Sequence, residues 1–427
     1  MADFFNVISP PEAIDLMSKN LSVVGHEVIN TEDSFGRILS DQIFSQEESP
    51  SFDRSSMDGY SVKASDTYGA SDALPAYLEL AGEVPMGSAP ELTLSPGEAA
   101  IAYTGGMLAS NADAVVMVEH TKISPSGLLE VYRPVAAGEN VIVAGEDFRK
   151  GDPVVAEGHL IKHAELGALM SLGTTTVNVY RRPNIAVISS GDELVEPGTQ
   201  LAGGKIRDVN LYSIGALVEN LGASATSFPR IPDEYDKLFE VANKAAQISD
   251  MVIFTAGSSV SSRDLTAKVI NDMGNPGVLV HGLSVKPGKP TILGMSDGKP
   301  IIGLPGNPVS AITIFRAVVD PLIRLISGAK ETPLDKVIEA VVDTDLPSSS
   351  GRTDYVRVRL RYDQGTVRAV PVHGKSNLIS TLLSSDGYVE IDADSSGIYQ
   401  GTTIAVSYTH LRAHETRHDL VCRLLLE

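Results

Sequence analysis

Three short stretches in the second half of the chain gather the residue types that bind anions. "GLPGNPVSA", 303–311, sets Gly303, Pro305 and Gly306 ahead of Asn307 and Pro308. Asn is a good helix N-cap and Pro fits the first helical position, so a helix carrying Val309, Ile312, Phe315, Val319 and Ile323 is predicted to start at this corner. Its first turn would offer unpaired N–H groups and the positive end of a dipole to an anion. "SVKPGKP", 284–290, adds Lys286 and Lys289 on a second Pro-Gly corner, and "TAGSSVSSRD", 255–264, is a Gly/Ser-rich loop closed by Asp264. "SSGDE", 189–193, contributes Asp192 and Glu193. Small residues and lysines suit phosphate. Glu193, Asp233 and Asp264 supply hard oxygens that suit Mg²⁺ rather than zinc. A second candidate loop, "FDRSSMDGYSV" at 52–62, reads either as a ligand loop or as a plain turn with Asp58-Gly59 at a left-handed position. There is no P-loop pattern and no order of Ser, His and Asp resembling a hydrolase triad, so familiar ATPase and hydrolase chemistry is unsupported.

The elements that must position these residues follow from periodicity. "NIAVISSG" and "DMVIFTAG" are short apolar runs ending in small residues, as buried parallel strands do. Between them Leu211, Ile214, Leu217, Val218 and Leu221 recur at helical spacing up to Gly222, and Leu238, Val241, Ala242, Ala245 and Ile248 mark another helix. Strands alternating with helices over 181–329 predict an open α/β layer domain with a mainly parallel sheet, whose ligands would sit beyond the carboxyl ends of the strands. Before it, residues 1–180 read as helical flanks around a β-rich insertion at about 46–137. "SPPE" at 9–12 is a capping box, and a further helix is signalled near 159–173. After it, "YVRVRLRYDQGTVRAVPV" alternates at period two about an Asp-Gln-Gly turn and places Arg357, Arg359 and Arg361 on one face, so a small β domain is predicted over 330–408.

Composition bounds the class. The chain has 427 residues, 43% hydrophobic and 21% charged, which fits a folded multidomain protein. A net charge of -20 opposes nonspecific attraction to nucleic acid or anionic membranes. No apolar run is long enough for a membrane-spanning helix, and the N-terminus lacks the pattern of a secretion signal. The single cysteine, Cys422, rules out an internal disulfide, and the expected location is the cytoplasm. Residues 409–427 break with what precedes them. His410, His414 and His418 could form a metal-binding tail at helical spacing, but the stretch reads better as a foreign or frame-shifted end and is set aside.

Taken in order, "GRILSDQIFS", "FDRSSMDGYSV", "GED", "ISSGDELVEPG", "IRDVN", "TAGSSVSSRD", "VKPGKP", "GLPGNPVSA" and "GRTDYVRV" resemble the molybdopterin molybdenumtransferase family, which includes the E domain of gephyrin. The resemblance spans residues 8 to 408. It implies a transferase of molybdenum cofactor synthesis, in which molybdate and adenylylated molybdopterin react with Mg²⁺ and AMP leaves. It also implies an elongated homodimer whose active site lies between the α/β domain of one subunit and terminal parts of the other, with a molybdopterin adenylyltransferase as upstream partner. By motif position, Asp58, Thr104, Glu193, Asp233 and Asp264 would be its polar and acidic residues. Lys286, Lys289, Pro305, Gly306, Asn307 and Pro308 would form its anion corner, with Arg352 and Ser376 reaching molybdate or pterin oxygens from the β domain. The chain departs from the family at "AGSSVSSRD", where many relatives read "GGVSVGxxD", and at "TGGML", where they read "TGAxxP". A non-catalytic scaffold and a tungstate-preferring relative are the other readings that the resemblance leaves open.

Overall fold

A computed structural model describes residues 7–256, 260–330, 337–363 and 365–408. The predicted capping box opens the first helix, Pro10–Ser18: Ser9 Oγ accepts from the Glu12 N–H, and the Glu12 carboxylate accepts from the Ser9 N–H. Such a cap is worth about 1 kcal/mol. The strand His26–Asn30 pairs antiparallel with Thr176–Tyr180, and the helix His163–Ser171 packs beside them. Between these flanks the chain runs out into a six-stranded sheet ordered Ala114–Met117, Gly59–Val62, Glu98–Ala102, Ala76–Glu83, Leu129–Val131, Thr121–Ile123.

The central layer is built from Asn184–Ser190 (β1), Asn210–Asn220 (α1), Ser224–Ser227 (β2), Tyr235–Ile248 (α2), Met251–Ala256 (β3), Val260–Met273 (α3), Pro276–His281 (β4), Ile292–Ser296 (β5), Lys299–Leu304 (β6) and Pro308–Ile314 (α4). The sheet order is β2-β1-β3-β6-β5-β4. The first four strands are parallel, and β5 and β4 complete the edge antiparallel. Alternation along β1 explains its continuous apolar run. Ile185 and Val187 enter one core with α1 and the first helix, while Ala186 and Ile188 enter the other with α2 and α3. Both faces are covered, as a parallel sheet requires. Gly222, at φ +80°, ends α1 in the left-handed conformation that only glycine adopts cheaply.

The helix predicted to run from Pro308 past Ile323 is present but not uniform. It passes through a π segment, Phe315–Val319, before resuming as Asp320–Ile326 (α5). Pro321 has no N–H to give a regular helix at that point, and a π turn accommodates the lost bond.

The C-terminal strands close on themselves. Thr353–Asp363, Thr366–Pro371, Val337–Val342, Thr403–Tyr408 and Gly387–Ile391 form a ring, because the last pairs with both Thr403–Tyr408 and the first. A sixth strand comes from the central domain: Val285–Lys286 pairs parallel with Thr353–Asp354. The Lys286/Lys289 corner is thereby fastened to the barrel. Gly288 within it has φ +117°, and a Cβ there would lie 2.4 Å from the Ile314 side chain. Replacing Gly288 with Ala is expected to destabilise the chain by about 1–3 kcal/mol through overpacking and backbone strain, read as an earlier denaturant midpoint at unchanged slope.

Candidate active site

The loops after β1 and β6, the end of β3 and the "KPGKP" corner line two adjoining cavities. The larger, about 570 Å³, is walled by Lys286, Lys289, Pro305, Gly306, Asn307, Arg352 and Ser376, among others. Its cations are organised by one buried carboxylate. Asp354, 2% exposed, accepts from Arg352 Nε at 2.8 Å and lies 3.6 Å from Lys286 Nζ. Asn307 stands at the N-cap position of α4 as the sequence predicts, and Pro308 at its first helical position, but the Asn307 side chain does not cap. It donates instead to Ser376 Oγ at 3.1 Å, while the Val309 N–H goes to the Ser376 carbonyl. The helix start expected to hold an anion therefore spends one N–H on the barrel, and the corner's main effect is to join the two domains.

The second cavity, about 310 Å³, lies on the other side of Gly306 and Asn307 and is walled by Ser189, Glu193, Asp208, Asn210, Thr255 and Pro308. Asn210 donates to the Gly306 carbonyl at 2.9 Å, and Asp208 Oδ1 accepts from the Leu211 N–H, tying α1 to the corner. Four of its polar atoms are buried without a hydrogen-bond partner among the described residues: Ser189 Oγ, Thr255 Oγ1, Asp208 Oδ2 and Asn210 Oδ1. Buried polar groups are nearly always satisfied, and leaving one unmade costs about 1–3 kcal/mol, so this cluster is shaped for a polar ligand. Sequence reasoning passed over all four. "IRDVN" carried two of them in plain view, but Asp and Asn before a helix look like ordinary caps.

The acids expected to share a metal are not drawn together. Glu193 lines the smaller cavity. The Asp233 N–H bonds to the Asp192 carboxylate, and Asp264 is exposed on α3: the stretch expected to be a loop as far as Asp264 is helical from Val260, and residues 257–259 lie outside the described residues. Among the described residues no three acids, His or Cys form a metal-holding group. The histidine-rich stretch 409–427 also lies outside the described residues.

Asp58 and Thr104 meet each other but line neither cavity. The Thr104 N–H and Oγ both donate to Asp58 Oδ1, at 2.8 and 2.9 Å. The backbone bond first, and the hydroxyl second, hold the Asp58 carboxyl below the usual aspartate range. Gly59 has no left-handed φ, contrary to the turn reading. It is required because a Cβ would sit 1.9 Å from the Val116 carbonyl oxygen of the neighbouring strand. Met57 and Tyr103, the chain neighbours of the pair, are exposed, as is Met86. Met86 touches the loop through Gly106, 3.1 Å from where its Cβ would be.

The fold and both cavities being in view, comparison places the chain. Residues 8–173 match the MoeA N-terminal region (domains I and II), residues 186–325 the family described as "Probable molybdopterin binding domain", and residues 339–408 the MoeA C-terminal region (domain IV). The chain is 32% identical to the molybdopterin molybdenumtransferase of Haemophilus influenzae over 90% of its own length and 94% of the relative's. The chain belongs to the molybdopterin molybdenumtransferase family. Its fold is that of two solved molybdopterin biosynthesis MoeA proteins from Pyrococcus horikoshii. One has 34% identity and TM-score 0.77, covering 94% of this chain and 99% of that one. The other has 28% identity and TM-score 0.82, covering 95% and 100%.

The Asp58 carboxylate gives a direct check on this geometry. Because its pKa is depressed on folding, its contribution to stability is present above the ordinary aspartate range near 4 and is lost as pH falls through the lower folded value. Removing the hydroxyl by Thr104→Ala should raise the Asp58 pKa partway and no further, since the backbone N–H stays, as followed by carboxyl NMR titration.

Proposed function

We propose that this member of the family catalyses the metal-insertion step of molybdenum cofactor synthesis, transferring molybdate onto adenylylated molybdopterin with release of AMP. The observation that carries this reading is the convergence of Lys286, Lys289 and Arg352 on one cavity that adjoins the cleft of unpartnered buried polar atoms. A cationic, partly enclosed seat beside a hydrogen-bonding slot suits an oxyanion brought up to a polar heterocycle that carries a phosphoanhydride.

In this reading Ser189, Thr255 and Asn210 hold and orient the pterin, which relieves their unmet hydrogen-bonding demand. Lys289 and Arg352 attract molybdate, and Asn307 and Ser376 fix its orientation through the seam that joins the domains. Lys286 stabilises the charge that develops as the phosphoanhydride breaks and AMP departs. Mg²⁺ fits the smaller cavity: Glu193 and the free Oδ2 of Asp208 would hold it, substrate oxygens completing its shell as is usual for this ion. When bound it neutralises phosphate charge.

The active unit in this proposal is a homodimer. The Asp58–Thr104 loop lines neither cavity and carries exposed Met57 and Tyr103 with exposed Met86 against it, the composition of a contact surface. A second copy brings this loop to the first copy's site, which is incomplete without it. The substrate comes from an adenylylating enzyme that hands over molybdopterin activated as a phosphoanhydride; no helix among the described residues is long and apolar enough to cross a membrane.

Purified protein given adenylylated molybdopterin, Mg²⁺ and molybdate should release AMP only when molybdate is present. Lys289→Ala should lower kcat/KM on the order of a hundredfold with the fold intact. Asp264→Ala measures whether the loop next to it takes part. AMP release without dependence on molybdate, or undiminished rates in Lys289→Ala, would overturn the assignment. Mixed dimers of Asp58→Ala and Lys289→Ala subunits should recover about a quarter of wild-type activity, because half of randomly assorted dimers regain one intact site of two. Recovery of none would place Asp58 and Lys289 on the same site of one chain.

A further inference from the structure

The arginine face of the C-terminal barrel, which the proposed reaction does not use, holds one member without a partner among the described residues. Arg359 donates to the Ser384 carbonyl and Arg361 pairs with Asp343. Arg357, on the same face, has no ion pair and no side-chain hydrogen bond among the described residues, and its Nε is buried. Tyr355, two residues earlier, packs into the central-domain core, so this face of the strand looks toward the central domain. There it meets Arg316, carried by the π segment Phe315–Val319, whose Nε is likewise buried and unpartnered. The two guanidinium groups repel each other. Burial first, and Arg316 second, push the Arg357 pKa down to about 10, and burial lowers that of Arg316.

The nearest acids are committed elsewhere. Asp320 accepts from Arg324, and Asp354 is shared by Arg352 and Lys286. Glu390, cross-strand from Tyr355, is exposed. Asp320 offsets part of the Arg316 charge, but no carboxylate offsets Arg357, and a sequestered cation facing a like charge is costly, which calls for an anion that the chain itself does not supply. Arg357 lines a groove of about 710 Å³ between the barrel and the central domain, together with His373 and Lys375. This groove shares Lys286, Asn307 and Ser376 with the 570 Å³ cavity.

We propose that the groove between the central domain and the barrel is a second anion subsite, taking a tetrahedral dianion on Arg357 with Lys375 and His373 at its wall, while Arg316 adds positive potential from behind Arg357. Two sources share that chemistry, the free oxyanion on its way in and the phosphate of the released nucleotide on its way out. Assigning the occupant rests on the proposed reaction; the subsite itself does not.

The test is anion-dependent thermal unfolding of the full chain at fixed ionic strength, in a Lys289→Ala, Arg352→Gln background that weakens the first cavity. Molybdate, inorganic phosphate and AMP are titrated separately against chloride. Each anion that fits the subsite should raise Tm with its concentration. Adding Arg357→Gln should weaken the apparent affinity at least tenfold, while Tm in chloride alone stays level or rises because like-charge repulsion is relieved. Lys375 is exposed, so Lys375→Ala provides a variant that cannot act through folding, and it should weaken the same response severalfold. A stronger response to molybdate than to AMP assigns the entry role, and the reverse order the exit role. Anion affinity unchanged in both Arg357→Gln and Lys375→Ala would overturn the subsite, as would a lower Tm in chloride with undiminished binding. Such a result beside normal AMP release by the wild-type chain would leave the transferase reading standing. Anion binding lost with Arg357, in a wild-type protein that releases no AMP, would do the opposite.

Discussion

The site depends on a buried carboxylate at a domain seam. Asp354 is almost fully enclosed and must be compensated, since stripping the partners from a buried charge costs about 3–5 kcal/mol. Its partners are Arg352, from the loop before its own strand, and Lys286, from the central domain. The Lys286 side chain is 60% exposed and that of Arg352 37%, so each is held by Asp354 while its charge still reaches the cavity. The parallel pairing of Val285–Lys286 with Thr353–Asp354 fixes the register that makes this contact. Domain docking and the cationic seat are therefore one interaction.

The remaining contacts across the seam serve the same end. Ser376 receives the Asn307 amide at its hydroxyl and the Val309 N–H at its carbonyl, so the "GLPGNP" corner is braced by the barrel. Asn210 braces it from the other side through the Gly306 carbonyl. A corner held from both sides needs little rearrangement to receive charge, which is the condition for electrostatic stabilisation without reorganisation. The polar atoms left unsatisfied nearby lie on the strand ends and on the start of α1, where the rigid sheet positions them.

The N-terminal sheet solves a separate problem. Its Asp58–Thr104 contact is complete by itself, with two donors on one carboxylate oxygen, yet it faces outward among apolar side chains. A loop made rigid in this way and left at the surface is suited to be lent to a neighbour.

The sequence by itself determined the elements and their order. Short apolar runs ending in small residues located β1 and β3, helical spacing located α1 and α2, the capping box located the first helix, and the period-two "YVRVRLRYDQGTVRAVPV" located the barrel's long hairpin, because local side-chain burial dictates each. The ordered motifs located the family. Only the tertiary structure decided which polar groups are satisfied. Ser189, Thr255, Asp208 and Asn210 look like ordinary strand-end and capping residues until the loops close over them, and Asn307 looks like a cap until Ser376 claims it. Gly59 looks like a turn glycine until Val116 is laid against it. Arg357 is one of three alternating arginines in sequence, and it alone loses its partners because the barrel face it shares with Tyr355 is buried against the central domain. Hydrogen-bond satisfaction and charge compensation are properties of long-range contacts, and spacing along the chain does not encode them.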